Sequence, residues 1–91
     1  MLNSKFEISY EIVTDGKEGE IYIYSLVEEA PERQRFGVQV VMKSDAALYR
    51  AESGTIFSNR KRACDFLVFL ARHLVTPANL PYIIEDALDF E

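Results

Sequence analysis

Ser58–Glu91, SNRKRACDFLVFLARHLVTPANLPYIIEDALDFE, decides how the rest of the chain must fold. Ser58 or Asn59 is suited to cap a helix, its side-chain oxygen accepting an otherwise orphan backbone N–H. Ala63, Phe66, Leu67, Leu70 and Leu74 then recur at helical spacing. Lys61, Asp65 and Arg72 share the opposite side, and Val68 and Phe69 widen the apolar arc beyond what a helix lying on one sheet needs. Thr76-Pro77 and Asn79-Leu80-Pro81 mark a turn and a second start, because proline is tolerated only in a first helical turn. Leu80, Ile83, Ile84, Ala87 and Leu88 line one face of that second helix. Two helices joined so closely are expected to pack antiparallel and to cover a surface supplied by the first half.

The first half reads as strands. Lys5–Thr14 alternates, with Phe6, Ile8, Tyr10 and Ile12 on one side and Lys5, Glu7, Ser9 and Glu11 on the other. The polar Asp15–Gly19 segment holds two glycines able to take positive φ, as a hairpin loop requires. Glu20–Glu28 is apolar on both faces, Ile21, Ile23 and Val27 against Tyr22, Tyr24 and Leu26, which is the pattern of a central strand. After the polar connector Glu29–Gln34, Phe36, Val38, Val40 and Met42 alternate as a third strand, and Ala47–Glu52 forms a fourth after the Ser44-Asp45 turn. The expected fold is α+β: a four-stranded antiparallel meander (ββββαα) with two C-terminal antiparallel helices on one face. It is a single domain over 1–91, with the meander in 1–57 and the helical hairpin in 58–91. The expected inner set is Phe6, Ile8, Ile12, Ile23, Val38, Val40, Phe66, Leu67, Leu70, Ile83, Ile84 and Leu88.

Composition bounds the function. Ninety-one residues make one small domain that buries roughly 60–65 % of its chain's surface. With 48 % hydrophobic and 27 % charged residues the chain is of ordinary globular composition. A net charge of −5 repels phosphates, so neither nucleic acid nor an anionic membrane is an expected partner. A single cysteine, Cys64, allows no internal disulfide and suits a reducing compartment. No basic start followed by an apolar core precedes the first strand, and the longest apolar run, Phe66–Ala71, is far short of the ~20 residues that span a bilayer. The chain is expected to be cytoplasmic.

Chemistry finds little to use. Cys64 and His73 are the obvious nucleophile and base, but nine positions along a helix are two and a half turns and point them apart. Arg60-Lys61-Arg62 opposes the dipole at a helix start, and Glu85, Asp86, Asp89 and Glu91 oppose it at a helix end. Antiparallel helices bring these two clusters together, so charge pairing accounts for both without a ligand. The acids lack the oxygen spacing and glycine of a calcium loop. No phosphate-loop, dinucleotide, zincin or nucleophile-elbow motif is present. No catalytic residue, cofactor or metal is therefore expected, and the chain is not read as an enzyme.

Surface is what remains. Tyr22, Tyr24 and Leu26, joined by Val41, are expected to form an aromatic patch on the sheet face away from the helices, tyrosine being a common interface residue. Val68 and Phe69 on the first helix offer a second contact. The expected function is protein–protein interaction or regulation by a non-enzymatic module that forms a homodimer or binds another protein. The alternative is a small-molecule-binding protein whose pocket, between sheet and helices, uses the tyrosines.

The closing pattern, Leu74-Val75-Thr76-Pro77 followed by Leu80, Ile83-Ile84-Glu85-Asp86 and Leu88, resembles the end of a family of short uncharacterised proteins of clostridial-type Gram-positive bacteria, a domain of unknown function of the DUF6514 type. Pro81 stands where that pattern has an ordinary helical residue. The resemblance covers about a third of the chain and implies a bacterial cytoplasmic protein with no assigned activity and no functional residues.

Overall fold

The computed structural model of the chain describes residues 6–29 and 35–88. Four strands come first, β1 Phe6–Asp15, β2 Ile21–Glu29, β3 Phe36–Lys43 and β4 Leu48–Glu52, followed by helices α1 Arg60–Arg72 and α2 Leu80–Leu88. The strands pair antiparallel in the order β1-β2-β3-β4, the expected meander. Strand β1 turns into β2 through Lys17–Glu20, where Glu18 and Gly19 have φ of 56° and 81° and the Glu20 N–H donates to the Lys17 carbonyl at 3.1 Å. Positive φ at both central residues is the type I′ geometry, whose twist matches that of the flanking strands.

Register settles which face is covered. Tyr22, Tyr24 and Leu26 stand opposite Met42, Val40 and Val38, so the tyrosine row is continuous with the apolar row of β3. Both helices lie on that side, and Tyr22, Tyr24, Leu26, Val38, Val40, Phe66, Leu67, Leu70 and Leu80 form one buried cluster. The tyrosines are thus core and not the far face, and Ile23, expected inside, shares the other face with Val41. The reason is that β2 is apolar on both sides, and only its pairing with β3 distinguishes them.

Strand β1 departs from its simple alternation. A β-bulge lies between Ile8 and Tyr10, so that Ile8 faces Val27 while Tyr10 faces Leu26. The extra residue, Ser9, moves everything before it to the opposite face. Ile8, expected inside, is therefore exposed, whereas Ile12 stays against the core. The side chains of Phe6 and Leu88, also expected inside, lie outside the described residues. Ile83 and Ile84 are half-buried against the cluster.

Asn59 caps α1, its Oδ1 accepting the Arg62 N–H at 3.2 Å. The other end closes without glycine. Leu74 takes φ 48°, the Val75 N–H donates back to the Leu70 carbonyl at 3.0 Å and the Leu74 N–H to the Ala71 carbonyl at 3.2 Å. This is a Schellman closure, and Val75 and Leu70, the residues whose apolar contact commonly accompanies it, are both buried in the core cluster. The chain passes through Thr76–Asn79, where the Asn79 N–H meets Thr76 Oγ1 at 3.3 Å, directly into α2. Pro81 falls in the first turn of α2, where its missing N–H has no helical acceptor to lose.

Charge pairing differs from expectation. Arg60 Nε lies 3.7 Å from Glu28 Oε2 on β2, and Lys61 Nζ lies 3.0 Å from Asp65 Oδ2 one turn on. The start of α1 thus sits above the end of β2. Among the described residues Glu85 and Asp86 form no ion pair, and Asp89 and Glu91 lie outside them.

Candidate functional site

The centre of the space between sheet and helices is filled by side chains. Tyr24 is fully buried and its hydroxyl donates to the Val75 carbonyl at 2.9 Å, joining β2 to the turn between the helices. The ring of Tyr22 stacks on it, centroids 6.2 Å apart, and the Tyr22 hydroxyl donates to Glu20 Oε1 at 3.2 Å. Among the described residues every buried side-chain nitrogen or oxygen has a partner. These tyrosines hold the layers together; at the margin of the same face Met42, Tyr49 and Arg50 of the sheet and Thr76, Pro77 and Ala78 of the turn between the helices border an open hollow of about 450 Å³.

Burial raises the pKa of both phenols above 10.0, with the nearby Glu20 carboxylate adding to the effect at Tyr22. A raised folded pKa means that the unfolded chain gives up these protons first as pH rises. The stabilisation is therefore complete below about pH 10 and is lost progressively above it. Urea-denaturation midpoints measured between pH 9 and 11 should fall as pH rises; a flat profile would contradict the burial of the pair.

Cys64 and His73 do not meet. Cys64 is half-buried with Arg60 Nη1 3.9 Å from its sulfur, while the His73 ring packs on Phe69, centroids 4.5 Å apart. Among the described residues no three His, Cys, Asp or Glu side chains cluster as a metal site would need, and no helix is long and apolar enough to cross a membrane. Val68 and Phe69 are 41 % and 43 % exposed on the outer flank of α1. Phe69, His73, Tyr82 and Ile83 border a cleft between the helices.

The feature that stands out is the sheet face turned away from the helices. Four cross-strand rows make it up. Asp15, Ile21, Lys43 and Leu48 form the first, Val13, Ile23, Val41 and Arg50 the second, and Glu11, Ser25, Gln39 and Glu52 the third. Ile8, Val27 and Gly37 form the fourth. Ile8, Val13, Ile21 and Leu48 are between 40 and 63 % exposed, large values for apolar side chains brought together on one surface. Ile23, Val27 and Val41 fill the gaps between them, half-buried by their neighbours. Of the residues expected at an interface, this face holds only Val41. The others on it were legible as apolar strand residues, but which face they occupy follows from the β2–β3 register and the Ser9 bulge.

Ser25 lies low in the third row, only 1 % exposed, with its hydroxyl 3.4 Å from Glu11 Oε2. In the fourth row the chain at Gly54 crosses close over Gly37, where a Cβ would collide with the Gly54 carbonyl. Beside it Val27, Gly37, Glu52, Gly54 and Thr55 border a concavity of about 200 Å³.

No curated protein and no solved structure matches the sequence. A family model does, along nearly the whole chain, and takes in the strands as well as the C-terminal pattern. Matching the model of a family of unknown function, DUF6514, over residues 3–90, the chain belongs to that family.

Proposed function

We propose that this chain is a non-enzymatic interaction module of the bacterial cytoplasm that works by self-association through the outer face of its sheet. The observation that carries the reading is that face itself: Ile8, Val13, Ile21 and Leu48 stand exposed around Ile23, Val27 and Val41, with both helices committed to the other side. Antiparallel sheets with one wet face ordinarily alternate apolar-in and polar-out. Here the second and fourth rows are largely apolar on the outside as well, and burial of such side chains stabilises association by about 25 cal/mol per Å² removed from water before the costs of association are met. The lone cysteine supports a reducing compartment.

Replacing Val13 and Leu48 together by lysine tests the surface without touching the core, because both side chains are more than half exposed. The Val13→Lys/Leu48→Lys protein should sediment as a monomer at concentrations where the natural chain is dimeric, with an unchanged circular-dichroism spectrum. Equal masses for the two proteins at every concentration would remove this face from the interaction.

A further inference from the structure

We infer that the occupant of the outer face is a second copy of this chain, related by a two-fold axis that runs across the strands, with Arg50 of each copy against Glu52 of the other. The inference rests on the self-association proposed above and specifies its geometry. Two sheets packed face to face in an aligned manner admit two such axes. An axis along the strands sets each row against itself with β1 over β4 and β2 over β3. It brings Glu11 over the partner's Glu52, a like-charge contact.

An axis across the strands keeps each strand over its own counterpart, reversed, so the first row meets the fourth and the second meets the third. Ile21 then lies over Val27, and Leu48 points at the concavity beside Gly37 and Gly54. At about 200 Å³ that concavity is smaller than the ~300–1,000 Å³ of a ligand pocket and suits one apolar side chain. Arg50 and Glu52, which already pair within one chain at 3.3 Å and are both more than half exposed, meet their counterparts and form a network of two cations and two anions. Like-charge contacts across a face disfavour the first arrangement, and opposite charges select the second.

Size is consistent with a second copy. Four strands about 4.8 Å apart, of ten, nine, eight and five residues at about 3.3 Å each, present roughly 500 Å² per copy. The pair therefore covers about 1,000 Å², the lower bound for a specific interface and the range of reversible, concentration-dependent dimers.

Disulfide mapping decides the axis. In a Cys64→Ser background, proteins carrying Ile21→Cys and Val27→Cys are mixed in equal amounts and treated with a mild oxidant. The proposed axis predicts a cross-linked species joining the two variants. An axis along the strands instead predicts that Ile21→Cys joins Lys43→Cys. Cross-linking of that second pair, or of neither pair in protein that sediments as a dimer, overturns the register while leaving self-association standing. A Cys64→Ser protein that sediments as a monomer throughout overturns both.

Discussion

Replacing Tyr24 by alanine should lower stability by about 3–5 kcal/mol, the loss that follows when a large buried aromatic side chain is deleted and the site cannot collapse. Tyr24 is fully buried in the row that meets the helices, its ring is stacked on Tyr22, and its hydroxyl satisfies the Val75 carbonyl. The phenylalanine variant separates the two contributions. Tyr24→Phe keeps the ring and leaves that carbonyl without its partner, at a cost of about 1–3 kcal/mol. Urea denaturation of both variants checks the pair. A loss under 1 kcal/mol for Tyr24→Ala would mean that the tyrosine face is not the one the helices cover.

Leu80→Ala is the second large effect, about 2–5 kcal/mol. Helix α2 has nine residues, fewer than the ~12–15 an isolated helix needs to be stable in water, so its helicity depends on packing. Among the described side chains of α2, Leu80 is the one fully buried in the cluster, while Ile83 and Ile84 are only half-buried. The variant should therefore lose far-ultraviolet helical signal at 222 nm well before the sheet melts, whereas a change confined to global stability would show that α2 is held by other contacts. A small domain has about 5–15 kcal/mol of stability in all, so either substitution removes a large share of it.

How these elements could be anticipated depends on which interactions are local. Asn59 as a cap, the α1 stripe through Leu70 and a hairpin at Asp15–Gly19 are written in neighbouring residues, and the structure has them where the sequence places them, although the positive φ falls on Glu18 and Gly19 and not on Gly16. The meander order follows from short loops. The identity of the covered face does not, because β2 is apolar on both sides and its inner row is chosen by pairing with Val38, Val40 and Met42. The bulge at Ser9 is equally silent, since FEISYEIV alternates without a break and only the partner strand reveals the extra residue. Arg60 finds Glu28 some thirty positions away rather than the acids of α2. Leu74 at φ 48° gives no glycine signal at the end of α1.

The same two events, register and bulge, create the proposed interaction surface. They carry the tyrosines inward and turn Ile8, Val13, Ile21, Ile23, Val27 and Val41 outward, next to Leu48 from β4. An uncovered apolar face was expected of β2 from its composition. Its membership, and the placing of Arg50 beside Glu52 at its margin, are properties of the assembled sheet.

Sedimentation equilibrium of the natural chain from low micromolar to millimolar concentration tests self-association most directly. The account predicts a mass that rises with concentration from 10.4 kDa to twice that value. A mass that stays at 10.4 kDa throughout would contradict it.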